Sequence, residues 1–325
     1  MADDLSELVA RIRPLDDAAM GATFDRTPGG QALGKLGGLA VWLSGVQVQS
    51  PPRPLVRKRV VLLAADHAPD GDAAVRVRDV LGGGAPVARL ARLANAEVRV
   101  VDIGVAGDLS ADAPAAALQH KVSSVAGLFS RESAASVADV LAALRADAAI
   151  ADDEADGGTD LLVAAELGGG ATAAAAIVCA TTGTEPVDAV PRGAAWAPSV
   201  AAVRDGLRRA KASSLGPVDL LAELGGVGIA AMTGLLLGAA ARRVPMVLDG
   251  VVPAAALLVA AQLAPQVLGY VVAGHRSTHP GHRVALEQLG LEPLLDVGAA
   301  AGEGCGALLA LPLLDAATAL SATPA

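Results

Sequence analysis

Two carboxylates set among glycines are the first residues in this chain with chemistry to offer. Glu303 stands in Gly302-Glu303-Gly304-Cys305-Gly306-Ala307. With glycine on either side it has no bulky chain neighbours, so a substrate can approach it closely. In a half-apolar site its proton affinity would rise enough for it to act as a base near neutral pH. The same pattern also describes a helix N-terminus with an acidic first turn. Glu166 opens Glu166-Leu167-Gly168-Gly169-Gly170-Ala171-Thr172, ahead of an alanine-rich helix expected over 173–180. Strand, glycine turn and helix N-terminus together can cradle a phosphate, because bare backbone N–H groups and the helix dipole both favour an anion. A tight turn needing positive φ accounts for the glycines equally well. A third cluster, His275, His279 and His282 with Arg276 and Ser277, has metal-ligand residue types. Pro280 and Gly281 interrupt it, so no continuous helix presents all three histidines, and a phosphate-facing loop fits as well. Asp66-His67 is a further pair of metal-ligand or base type.

These residues need elements to hold them. Short apolar runs at Val60–Ala65, Val98–Val101, Leu161–Ala165, Val244–Leu248 and Tyr270–Ala273 read as strands, with Leu294–Val297 as a candidate sixth. Apart from Arg99 and Asp296 these runs are apolar, as strands covered on both faces are, and helical stretches lie between them. That alternation predicts an α/β fold with a mostly parallel, doubly wound (Rossmann-like) sheet. In such sheets ligands bind beyond the carboxyl ends of the strands. Asp66, His67, Asp102, Glu166, Asp249 and His275 all fall at those ends, so they predict one active edge. Residues 1–20 and 33–48 read as helices separated by a loop over 21–30, and Pro51, Pro52 and Pro54 as a linker. The expected division is residues 1–50 as a small helical part completed by a C-terminal helix, 55–312 as the α/β part and 313–325 as a tail.

Composition narrows the function classes. The 325 residues are 53% hydrophobic, 18% charged and 2% aromatic, with a net charge of −9. Disorder over most of the length is excluded, and the acidic balance argues against a nucleic-acid partner. The basic runs Arg57-Lys58-Arg59 and Arg208-Arg209-Lys211 are expected to face solvent. Two cysteines, Cys179 and Cys305, make neither a disulfide framework nor a zinc site and fit a reducing cytoplasm. The acidic N-terminus has no secretory pattern. Mean hydropathy is high, +0.49. The longest uncharged stretch, 224–241, is nonetheless short and glycine-rich for a lipid-spanning helix and is expected to be buried between protein layers.

Taken in order, Leu221-Ala222-Glu223-Leu224-Gly225-Gly226, Leu248-Asp249-Gly250, Ala273-Gly274-His275-Arg276-Ser277, Pro280-Gly281-His282 and the glycine-flanked Glu303 resemble the nicotinate-nucleotide–dimethylbenzimidazole phosphoribosyltransferase family. Ala65-Asp66-His67, Gly82-Gly83-Gly84-Ala85 and Asp102-Ile103-Gly104-Val105 fall in the same order, so the resemblance spans roughly residues 33–317. It implies a cytoplasmic homodimeric pentosyltransferase that takes nicotinate mononucleotide and a benzimidazole-type base, without metal or cofactor, in cobalamin nucleotide-loop biosynthesis. Glu303 then matches the base and Glu166 a second carboxylate. Gly168, Gly169, Gly170, Lys211 and Ser277 match the grip on the nucleotide phosphate, and Thr172, Asp66, His67 and Asp249 belong to the expected substrate site.

The departures concentrate where the acceptor is recognised. Gly170-Ala171-Thr172-Ala173 replaces Gly-Asn-Thr-Thr, and Asp66-His67-Ala68 replaces Asp-His-Gly. Asp70-Gly71-Asp72-Ala73-Ala74-Val75-Arg76 stands where the family supplies Ser, Tyr and Gln. The segment 27–34 and Pro191-Arg192-Gly193-Ala194-Ala195 are also reduced. Two other readings follow: a divergent paralogue that binds a nucleotide or cobamide precursor without this transfer or with another base, and a metal-dependent hydrolase built on Asp66, His67 and the 275–282 histidines.

Overall fold

A computed structural model describes residues 2–26, 33–67, 71–123 and 127–321. Residues 27–32, 68 and 70 of the compared motifs lie outside them. Five strands form one sheet: β1 (Lys58–Ala65), β2 (Ala96–Gly104), β3 (Leu161–Leu167), β4 (Met246–Leu248) and β5 (Val271–Ala273). Their order is β2-β1-β3-β4-β5, and every pairing is parallel. The expected sixth strand shrinks to a parallel bridge between His275 and Leu295.

The pleat of β1 divides the core. Val61, Leu63 and Ala65 pack with helices Val137–Asp156, Ala171–Thr182, Gly226–Ala241 and Val251–Leu263 on one face. Val60, Leu62 and Ala64 pack with helices Lys35–Gln47, Ala73–Leu81, Pro86–Leu93 and Cys305–Ser321 on the other. Uniformly apolar strands are what a sheet covered on both faces requires. At the N-terminus the expected single helix is two, Ala2–Arg11 and Asp17–Arg26, separated at Pro14, which cannot continue a helix. The second helix also occupies the start of the expected loop. Helix Lys35–Gln47 packs on Asp17–Arg26 and on Cys305–Ser321, and the latter runs through the expected boundary at 312.

The apolar stretch Pro217–Ala241 is long enough to cross a membrane, but 94% of its most apolar window is buried in the protein. Its partner is helix Val137–Asp156. A Cβ at Gly234 would collide with the carbonyl oxygen of Leu144, so glycine is what lets the two backbones meet. The basic runs are not simply solvent-facing. Lys58 is buried and pairs with Asp315 at 2.7 Å, Arg59 reaches Glu154 at 3.0 Å, and Arg209 holds Glu223. Each tethers segments apart in sequence.

Asp147, on Val137–Asp156, is fully buried with no hydrogen-bond partner on either carboxylate oxygen. Burial pushes its pKa well above the usual carboxylate range, against a smaller opposing pull from Arg99. In the unfolded chain the same carboxyl ionises near its ordinary pKa. Its contribution to stability is therefore fully present below that value and is lost as pH rises through the folded pKa. Asp147→Ala removes a buried polar group that has no bond to lose and raises helix propensity. The expected result is a melting midpoint above wild type at pH 8, with the gap narrowing towards pH 4; an unchanged or lower midpoint at pH 8 contradicts it.

Candidate active site

The carboxyl ends of the strands gather the acidic residues, but most of those carboxylates hold loops rather than stand free. Asp66, after β1, accepts hydrogen bonds from the Ala73 and Ala106 amides at 3.1 and 2.8 Å. Asp102, near the end of β2, accepts from the Val105 amide at 2.9 Å and pairs with Lys121 at 3.1 Å. Asp249, after β4, accepts from Gly304 at 2.8 Å and from Ala307 at 2.9 Å. Glu166, on β3, accepts from the Gly170 amide at 3.1 Å. That bond closes the glycine turn, where Gly168, at φ 145°, lies so close to β1 that a Cβ would strike the Ala65 carbonyl. His67 Nε2 lies 3.5 Å from Glu166 Oε1. This pair straddles β1 and β3, where the chain reverses its direction of travel across the sheet, the usual crevice for ligands in such folds.

Glu303 is held differently. It lies in the left-handed region at φ 57°, between Gly302 at 64° and Gly304 at 89°. Left-handed backbone is costly for a side-chain-bearing residue, and such strain concentrates at functional sites. The three residues turn the chain sharply just before helix Cys305–Ser321 and bring Glu303 to the wall of a cavity of about 330 Å3 that Glu166 also lines. The Glu303 side chain is 16% exposed. Burial raises its pKa above the ordinary glutamate value; Arg76 opposes the shift, while Glu166, Asp79 and Asp72 add to it. A half-buried carboxylate of raised proton affinity is suited to taking a proton from a ring N–H.

The rest of the cavity favours an anion without a cationic side chain. Among the described residues, no lysine or arginine lines it. Instead Ala171, Val251 and His279 bring three helix N-termini to its wall, none capped by a side chain. Their dipoles attract negative charge, as do the backbone N–H groups at these starts, to which Pro253 and Pro280 contribute none. Ser277 and Thr278 add hydroxyls. The Ser277 amide donates to His282 Nδ1 at 3.2 Å, and its hydroxyl lies 2.9 Å from the same nitrogen. Burial lowers His279 to about 4 and His282 to about 3, so both are neutral at physiological pH. Burial also lifts the Cys305 thiol to about 12, which removes it as a nucleophile beside Glu303. Among the described residues, no group of three or more His, Cys, Asp or Glu side chains forms a metal cluster.

A family model described as phosphoribosyltransferase matches residues 13–325. The nicotinate-nucleotide–dimethylbenzimidazole phosphoribosyltransferase of Streptomyces avermitilis is 43% identical, over 98% of this chain and 90% of its own length. That of Mycolicibacterium paratuberculosis is 45% identical, over 89% and 86%. The chain belongs to the nicotinate-nucleotide–dimethylbenzimidazole phosphoribosyltransferase family. The backbone agrees: a crystal structure of the Thermus thermophilus member superposes with a TM-score of 0.84 at 33% identity, covering 98% of this chain and 94% of that one.

In this family member the expected site residues separate into groups. Glu166, Asp249, Ser277 and Glu303 line the cavity together. His67, Gly168, Gly169 and Thr172 line a neighbouring one of about 470 Å3, with Asp72. Gly170 lies behind the His67 ring, where a Cβ would stand 2.7 Å from Nε2. Lys211 is exposed at the end of helix Trp196–Ala210 and lines neither cavity. Asp66 and Asp249, expected in the substrate site, each have both oxygens engaged by backbone amides. Thr278, His279 and the Gly250–Pro253 turn also line the site, although the motifs do not mark them as substrate residues. Their signal is their place next to strand ends and helix starts.

Proposed function

We propose that the chain transfers the 5-phosphoribosyl group of nicotinate mononucleotide to a ring nitrogen of a benzimidazole-type base, releasing nicotinate and an α-ribosyl nucleotide phosphate. The acceptor's unprotonated nitrogen attacks the anomeric carbon as the bond from that carbon to the pyridinium nitrogen breaks. The bonding pair stays with the departing ring, which becomes neutral and needs no proton. The acceptor's N–H proton passes to Glu303. Glu166, on the same cavity wall, stabilises the cationic sugar of the transition state. Ser277 and the uncapped helix N-termini hold the anionic groups of the nucleotide. The observation that carries this reading is the left-handed Glu303 between two glycines, beside a second carboxylate, in a member of this family.

Incubation with nicotinate mononucleotide and dimethylbenzimidazole, followed by chromatography, should show nicotinate and the α-ribosyl product in equal amounts. Absence of nicotinate release over a wide concentration range counts against it. Calorimetric nucleotide binding with no turnover on benzimidazole, purine or phenol acceptors would favour a non-transferring paralogue. A cytoplasmic homodimer belongs to the same reading. Two buried free thiols suit a reducing compartment, and light scattering should return twice the chain mass.

A further inference from the structure

Arg76, on helix Ala73–Leu81, meets the glycine loop from the same face of the sheet that helix Cys305–Ser321 covers. Its Nη1 lies 3.3 Å from Glu303 Oε1, and its Nε lies 3.2 Å from Asp72 Oδ2, one helical turn back. The guanidinium is therefore tethered at one end and paired at the other. The Arg76 side chain is 42% exposed and that of Glu303 16%, so the pair joins a carboxylate of the cavity wall to a side chain open to solvent. We propose that Arg76 is a positioning residue of the transfer reaction: by pairing with Glu303 it keeps the carboxyl proton-free and aimed until the acceptor's ring N–H takes its place. This rests on Glu303 being the base.

The surroundings make such a partner necessary. Asp72 and Asp79 approach Glu303 from the Arg76 side, and Glu166 approaches from β3. His67 stands beside Glu166. Beneath the loop lie the Cys305 thiol, Asp249 bonded to the Gly304 amide and His275 packed on Gly306. Burial and three carboxylates favour a proton on Glu303, and Arg76 is the cation that opposes them. An opposite charge at such a distance lowers a carboxyl by about one unit or more. Solvent screening at a half-exposed pair weakens this effect without removing it.

The test is the pH profile of kcat/KM for the acceptor. In Arg76→Gln the acid limb should move up by about half a unit to one unit, so that turnover below the limb falls several-fold while turnover at pH 8 changes least. Arg76→Lys, which keeps the charge, should bring the limb back towards wild type. Arg76 is partly exposed, so both variants should fold. A carboxyl titration of Glu303 by 13C NMR, assigned with Glu303→Gln, should move in the same direction without depending on turnover. A wild-type protein that releases no nicotinate would defeat the base assignment, and the NMR titration would still report on the pairing. An acid limb and a titration that stay in place or move down in Arg76→Gln overturn the proposal.

Discussion

Glu303→Gln should lower turnover by about two to four orders of magnitude, the usual contribution of a general base, and leave the fold intact. Glutamine keeps the size of the side chain and the left-handed backbone, but its amide cannot take the acceptor's proton. The loss should appear in kcat, with KM for nicotinate mononucleotide little changed, because the groups proposed to hold the nucleotide's anionic groups are the helix N-termini and Ser277, not Glu303. The wild-type profile should carry the same signature. Burial raises the Glu303 pKa, so rate should be lost on the acid side at a pH above the ordinary glutamate range. Glu303→Gly makes a second contrast. It removes a left-handed side chain that costs about 1 kcal/mol, so unfolding should need more denaturant while activity disappears. A Glu303→Gln enzyme with wild-type kcat would remove the base from this site.

What the sequence disclosed follows from which forces act locally. The five strands were legible because a strand buried on both faces must be apolar through its middle, as Val60–Ala65 of β1 and Leu161–Ala165 of β3 are. The short β4 and β5 were found from the same signal. The place of Glu303 on a cavity wall was legible because glycines on both sides leave a carboxylate uncrowded by its chain neighbours. The backbone bonds of Asp66 and Asp249 were not. Each is an acidic residue at a strand end, which is also what a ligand-binding residue looks like. Only tertiary folding brings the Gly304 and Ala307 amides, more than fifty positions away, onto the Asp249 oxygens. Lys58 hid for a similar reason: a basic run at a strand start reads as solvated until Asp315 arrives from the last helix. Of the uncapped helix N-termini that line the cavity, the one after the glycine turn was legible in the sequence; those at Val251 and His279 were not.

Asp249→Ala should cost both stability and catalysis, and the size of the loss follows from its two bonds. The carboxylate is 4% exposed and accepts from two backbone amides, those of Gly304 and Ala307, at 2.8 and 2.9 Å. It thus caps helix Cys305–Ser321 from a different strand and fixes the residue that follows Glu303. Hydrogen bonds to a charged group contribute about 1.5–3 kcal/mol each, and truncation leaves both amides without a partner. A loss of about 3 kcal/mol or more is expected, read from the denaturant midpoint. Asparagine does not restore the site. Its oxygen can serve one amide, but its NH2 then confronts the other N–H donor, so Asp249→Asn should fall between wild type and alanine in stability. Both variants should lower kcat through misplacement of Glu303, whereas Glu303→Gln should lower kcat at wild-type stability. If Asp249→Ala is too unstable to assay, Asp249→Asn carries the comparison. Wild-type stability together with wild-type kcat in Asp249→Asn would show that the glycine loop is held by something other than this carboxylate.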